Sequence, residues 1–172
     1  MGIVPALDPA FPKGRAYRAT ERFAQTGVGR WFAINIAPKV DLALLGLTGG
    51  RVGCFPQAKV VLLTVPGRKT GEPRTTPLLY YTEGDDVILI ASSYGREKHP
   101  GWYYNLLAHP EAELRVGSAG GRYRAGEITD EAERRRLYNR AHALYSGYAG
   151  YEERAGAAGR RIPVLRLAPL EP

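Results

Sequence analysis

The sequence predicts an α+β protein built on a small closed barrel of about six mainly antiparallel strands, flanked by helices. Three observations lead there. Short apolar, β-branched runs recur between Ala58 and Leu167, each stopped by a turn containing Gly or Pro. Helical stretches interrupt this series but do not follow every strand, as a parallel doubly wound sheet would require. With 172 residues and 44% apolar content, the chain can fill one sizeable core rather than two.

In chain order, Met1 to Arg15 carries Pro5, Pro9 and Pro12, which deny it helical hydrogen bonds and predict an extended, mobile arm over 1–15. One barrel domain is expected over 16–172. Its first part, 16–48, reads as an amphipathic helical segment, in which Phe23, Trp31, Phe32, Ile34, Ile36, Val40, Leu42, Leu44 and Leu45 stand between Arg18, Arg22, Arg30 and Lys39. The Gly27/Gly29 pair and Pro38 should divide it into two or three short helices. Such a segment either covers a core or lies on a membrane, and core cover is the commoner use. Ala58 to Val65 is then a strand stopped by Pro66-Gly67, with Arg74 to Thr82 as its hairpin partner. Val87 to Ser92 forms a third strand after the turn at Glu83 to Asp86. Pro100 opens a short helix ending near His109-Pro110, and Ala112 to Val116 and Arg122 to Ile128 flank a glycine-rich turn. Thr129-Asp130, with acidic residues behind it, starts a helix to about Leu144, apolar on one face and arginine-rich on the other. Ile162 to Leu167 alternates as a closing strand, with Pro163 at its start, where a missing N–H is tolerated.

Twenty-four Lys and Arg against 17 Asp and Glu give a net charge of +7, carried by 19 arginines and 5 lysines. An anionic partner is implied. The arginines are dispersed and no nucleic-acid recognition motif accompanies them, so nucleic acid is not expected. The lone Cys54 excludes an internal disulfide and a four-thiolate zinc site, and points to a reducing compartment. Neither a signal-peptide pattern nor an apolar run of about 18 residues occurs, and a cytoplasmic protein is expected. His99, His109 and His142 are scattered, two of them before proline, and no metal is expected. Gly27-Val28-Gly29 continues as Arg30-Trp31-Phe32 where a dinucleotide loop needs another glycine, and Gly67 to Gly71 lacks the spacing of an ATPase phosphate loop.

One constellation survives this pruning. Arg68, Lys69 and Arg74 surround a tight turn, where cationic heads meet backbone N–H groups outside the ladder. They form an anion clamp or a solvated basic tip. Ser92 and Ser93 run into Tyr94-Gly95, a turn that can bring backbone close to a flat ligand. Trp102 walls a pocket or fills a core. Tyr145, Tyr148 and Tyr151, with Gly147 and Gly150 between them, line a wet aromatic pocket or pack outside the barrel.

Taken in order, Leu62-Leu63-Thr64-Val65-Pro66-Gly67-Arg68-Lys69-Thr70-Gly71-Glu72-Pro73-Arg74, Ile90-Ala91-Ser92, Pro100-Gly101-Trp102-Tyr103-Tyr104-Asn105-Leu106 and Tyr145-x-x-Tyr148-x-x-Tyr151 resemble the deazaflavin (F420)-dependent nitroreductase family, quinone reductases included. The likeness runs from about Ala58 to Pro172. It implies a split β-barrel like that of flavin reductases and pyridoxamine-phosphate oxidases, and coenzyme F420 as the cofactor. The implied activity is an F420H2-dependent oxidoreductase that passes a hydride to a quinone, nitro or activated-alkene acceptor. By the same resemblance Arg68, Lys69 and Arg74 hold the coenzyme's phosphate and glutamate tail, Ser92 faces the ring and the reacting region, and Trp102 and Asn105 line the coenzyme site. Tyr145, Tyr148 and Tyr151 face the substrate, with Tyr148 placed to orient the acceptor or stabilise its developing charge by hydrogen bonding.

Two positions depart from the family pattern. Ser93 stands where relatives often carry a lysine, which removes a tail contact that Arg96 or Lys98 would replace, and Gly101 stands where a larger apolar residue is common. The expected partners are a small-molecule acceptor such as menaquinone, the inner face of the membrane as a peripheral docking surface, and a second copy in a homodimer. A non-catalytic carrier of F420 or of a fatty acid is the alternative function, and FMN is the rival cofactor.

Overall fold

The computed structural model describes residues 4–37, 40, 44 and 59–170. Six strands, β1 (Val60–Pro66), β2 (Pro73–Glu83), β3 (Asp86–Ile90), β4 (Glu111–Val116), β5 (Ala119–Glu127) and β6 (Val164–Pro169), close in the order β1-β2-β3-β6-β5-β4. Every neighbouring pair is antiparallel. The chain lays down the meander β1-β2-β3, then the hairpin β4-β5, and β6 enters last between β3 and β5, so no edge is left open.

Alternation places Val61, Leu63 and Val65 of β1, Val87 and Leu89 of β3, Leu114, Tyr123, Leu165 and Leu167 inside the barrel. The remaining apolar residues of β3, Ile88 and Ile90, belong to a second core on the outer face. That is why β3 reads as an unbroken apolar run: both its faces are covered. Helix α3 (Gly101–Ala108) sends Trp102, Tyr103 and Leu106 into the inner core. Helices α4 (Glu131–Leu144) and α5 (Tyr148–Ala157) cover the outer face through Leu137, Tyr138, Ala141, Leu144, Tyr148, Tyr151 and Ala155. Fully burying a side chain such as Ile88 or Leu137 contributes about 1.5–3 kcal/mol. Asp130 caps α4, its Oδ1 accepting from the Glu133 N–H at 2.8 Å.

Helix α5 is absent from the sequence expectation. Gly150 and Gly156 each weaken a helix by about 1 kcal/mol relative to alanine. Burial of Tyr148, Tyr151 and Ala155 against α4 and the turn at 93–95 overrides that local preference.

The amphipathic segment contains α1 (Arg15–Gln25) and α2 (Gly27–Asn35). They break at Thr26, whose extended backbone lets Oγ1 accept from the Gly29 N–H at 3.0 Å. Helix α1 is fastened over the α4–α5 connection: the Tyr17 hydroxyl donates to Leu144 O at 2.6 Å, and the Ser146 N–H to Glu21 Oε1 at 2.8 Å. The expected break at Pro38, the apolar positions Leu42 and Leu45, and Cys54 lie outside the described residues. The described part of the arm is extended but pinned. The Val4 N–H donates to the Tyr123 hydroxyl at 3.0 Å, the Tyr80 hydroxyl to Pro5 O at 3.1 Å, and the Leu7 N–H to Thr82 Oγ1 at 2.9 Å. A proline-dense stretch with few hydrogen bonds of its own takes its partners from the barrel, so it differs here from the mobile arm the prolines alone suggest. Among the described residues no helix is long and apolar enough to cross a membrane.

Candidate functional site

The β1–β2 connection is a tight loop. The Gly67 N–H donates to Glu72 O at 2.8 Å, and the Gly71 N–H returns to Gly67 O at 2.7 Å. This closure pushes Arg68 and Lys69 outward beside Arg74 at the start of β2, and all three are exposed. Helix α3 supports the loop from below: Asn105 Oδ1 accepts from the Arg68 N–H at 3.1 Å, and the Arg68 guanidinium lies 5.1 Å from the Tyr104 ring centre. Among the described residues no carboxylate reaches ion-pair distance of Arg68, Lys69 or Arg74. This end of the hairpin therefore presents three cations, Arg68 among them supported by neutral groups, a donor set suited to a multiply charged anion.

Beyond β3 the chain turns sharply. Ser93 and Tyr94 adopt φ values of 50° and 58°, a left-handed conformation that costs non-glycine residues on the order of 1 kcal/mol each. Gly95, at φ 76°, packs so close to α5 that a Cβ there would fall 2.8 Å from Tyr151 O. Ser92 is half-buried and Ser93 buried. The turn is held by Arg160, which is only 7% exposed. Its Nε donates to Arg96 O at 2.7 Å, its Nη1 to Ala91 O at 3.2 Å and its Nη2 to Ser92 O at 2.5 Å. Nη1 also lies 3.1 Å from His99 Nδ1, which must accept, because a guanidinium only donates. Sequence reasoning missed Arg160; nothing distinguishes it from the other arginines before its long-range partners are known.

The three tyrosines do meet. Ring centres of Tyr145, Tyr148 and Tyr151 are 5.7–5.9 Å apart, and the hydroxyls of Tyr151 and Tyr145 are 3.4 Å apart. Tyr94, on the strained turn, meets Tyr151 edge-on at 5.9 Å. The setting is drier than the sequence suggests: Tyr148 is 4% exposed, and its carbonyl accepts from the Tyr138 hydroxyl at 2.7 Å. Tyr145 is the half-exposed member. Burial pushes the Tyr148 and Tyr151 phenols well above the usual tyrosine range, with the neighbouring phenols adding to the shift, so both stay neutral donors. Trp102 lies in the inner core, 8% exposed.

A line of contacts joins the two halves. Arg68 lies over Tyr104, whose ring is 5.9 Å from His99, which meets Arg160, which in turn holds Ser92.

Comparison with known proteins bears on the family. The family model described as F420H(2)-dependent quinone reductase matches residues 36–169. An F420H(2)-dependent quinone reductase of Mycobacterium tuberculosis is 36% identical over 149 residues, covering 81% of this chain and 97% of the relative. Among solved structures, an F420-H2-dependent reductase (FDR-A) superposes with a TM-score of 0.57 at 33% identity, covering 63% of this chain and 93% of the other. A chain solved as a domain-swapped dimer superposes at 0.59 with 29% identity, covering 73% and 93%. With the six-stranded antiparallel barrel and its cationic loop in place, the chain belongs to the F420H(2)-dependent quinone reductase family.

Proposed function

We propose that the chain is an oxidoreductase that uses reduced F420 to reduce a quinone, with the β1–β2 loop gripping the coenzyme's anionic tail. The observation that carries this reading is the company of Arg68, Lys69 and Arg74 at one end of the β1–β2 hairpin, where Arg68 rests on Asn105 and Tyr104 and none of the three has a carboxylate partner among the described residues. Two guanidiniums and an ammonium suit a tail of phosphate and carboxylates, because charge-assisted bonds to such oxygens are roughly twice as strong as neutral ones. When bound, reduced F420 supplies a hydride from its deazaflavin ring.

Ser92 and Ser93 are assigned to the ring side, where the strained turn offers hydroxyls and backbone, and Trp102 backs the site from the inner core. On the acceptor side Tyr145 stands at the mouth, with Tyr148 and Tyr151 behind it. The Tyr148 O–H, held neutral by burial, donates to the acceptor oxygen as that oxygen gains negative charge. Because Tyr148 is enclosed, this contact requires Tyr145 to turn aside. Tyr148→Phe is expected to lower kcat about tenfold or more while leaving coenzyme affinity unchanged. Enzyme-dependent loss of F420H2 absorbance with a menaquinone analogue tests the whole reading. Absence of turnover with any quinone, nitro or enone acceptor would overturn it, and F420 binding without turnover would favour the carrier.

A membrane-dissolved quinone such as menaquinone is the acceptor in this reading, and α1 and α2 are the docking face. Phe23, Val28 and Trp31, the last 57% exposed, stand with the exposed Arg15, Arg18 and Arg22. The protein then works in the cytoplasm, peripheral to the inner face of the membrane. Retention on anionic vesicles that Trp31→Ala abolishes would support this. A homodimer is supported by the related chain solved as a domain-swapped dimer, and light scattering would test it.

A further inference from the structure

We propose that Arg160 is the positioning residue of the site: its guanidinium holds the turn at 91–96 in the shape that presents Ser92 and, through His99 and Tyr104, ties that turn to the loop carrying Arg68. The role toward coenzyme rests on the proposed function; the hold on the turn does not.

Three facts carry the inference. Carbonyls of Ala91, Ser92 and Arg96 all accept from the one guanidinium, at 3.2, 2.5 and 2.7 Å. Such a fan of bonds suits a planar fork and cannot be reproduced by an ammonium. The turn so held contains Ser93 and Tyr94 in the left-handed conformation, which persists only where surrounding structure imposes it. Arg160 also follows Gly159, at φ 69°, and its own N–H donates to Ala155 O at 2.8 Å, closing the C-terminal end of α5. The serine turn and the helix that carries Tyr148 and Tyr151 are thus keyed to one residue.

The charge of Arg160 has an unusual setting. Among the described residues no carboxylate reaches ion-pair distance of it, although it is buried, and carbonyl oxygens and His99 Nδ1 take its donors instead. A buried guanidinium compensated by the carbonyls of a single turn makes the shape of that turn the condition for keeping the charge inside.

Amide hydrogen exchange on the unliganded protein gives the first test. Arg160→Lys, which keeps the charge and loses the fork, is expected to speed exchange of the amides at 92–96 about tenfold or more relative to β1. Unchanged exchange there would overturn the proposal whether or not F420 is the ligand. Should Arg160→Lys fail to fold, His99→Gln leaves the three carbonyl bonds in place and is expected to speed the same amides about threefold; no change would again count against it. The second test is a double-mutant cycle on F420 affinity, read by coenzyme fluorescence. Arg160→Lys and Ser92→Ala are each expected to weaken binding about tenfold, and the double variant little more than either alone, because both act through one turn. A multiplied loss of about a hundredfold would mean that Arg160 supports only general stability and would overturn the positioning role. Failure of the wild-type protein to bind F420 would instead sink the functional reading and leave the exchange experiment to decide for Arg160.

Discussion

Helix α4 and the β1–β2 loop are both basic and both at the surface, yet their charges live in different company. On α4, Arg136 bonds Glu83 and Glu133 at 2.7 Å each, Arg140 bonds Glu83, and Arg166 from β6 reaches Glu133 at 2.8 Å and Asp86 at 3.4 Å. These arginines lace α4 to β2, β3 and β6. On the loop, Arg68 has an amide oxygen and an aromatic ring for support, and none of the loop cations has a carboxylate partner among the described residues. The difference teaches that a net charge of +7 locates nothing by itself; pairing separates cations that hold the fold from cations available to a ligand.

The largest expected effect separates the two regions directly. Replacing Arg68, Lys69 and Arg74 together by alanine should weaken F420 binding at least about a hundredfold, flatten its salt dependence, and leave thermal stability nearly unchanged. Fluorescence titration against F420 and FMN checks it. An equal loss for both cofactors would break the comparison, because the FMN tail offers fewer anionic groups to the loop. Glu83→Gln addresses the other region: it takes from Arg140 its carboxylate partner and from Arg136 and Arg166 one of theirs, and should cost about 1–2 kcal/mol by denaturant unfolding with F420 affinity intact. A drop in coenzyme affinity without loss of stability would place the α4 lattice in the site. Asn105→Ala sharpens the contrast without changing any charge. It removes the acceptor beneath the Arg68 N–H and should weaken F420 about threefold to tenfold, a loss that persists at high salt, whereas the loss from removing the arginines shrinks there.

How much of this was legible in the sequence follows from how local each feature is. The strands were readable because alternation and turn residues act within a few positions, and the loop cations because Arg68, Lys69 and Arg74 fall within one hairpin. Helix α5 was hidden because Gly150 and Gly156 speak against a helix locally, while the burial that favours it comes from the distant serine turn and from α4. The tyrosine triad was visible as a spacing, but its dryness was not, since Tyr138 on α4 and Tyr94 on the serine turn supply the cover. Trp102 shows the converse limit: an indole reads alike as a cofactor wall or as core, and the packing of α3 places it in the inner core. Arg160 was beyond reach, as its partners lie 61 to 69 residues away along the chain.

The smallest effect comes from pH, and its sign distinguishes the two regions again. His99 faces Arg160 from the chain behind α5, Tyr103 and Tyr104 from α3, and Glu127 from β5, whose carboxylate accepts from the Tyr103 hydroxyl at 2.7 Å. Burial, and then the Arg160 charge, hold its pKa below the ordinary 6.5 against the pull of Glu127. The folded protein therefore binds fewer protons at His99 than the unfolded chain does, so stability is full above about 6.5 and declines as pH falls below it, levelling off once the folded histidine is itself protonated. Glu83 is depressed below 4.5, chiefly by its hydrogen bond to Arg136, so the stability it adds is present above that value and is lost as pH falls through its folded pKa. Acidification should thus loosen the serine turn first and the α4 lattice later. His99→Gln should remove the upper step and keep the lower one in a stability-against-pH profile. A single step near the carboxylate range in both proteins would show that the His99–Arg160 contact has no separate weight.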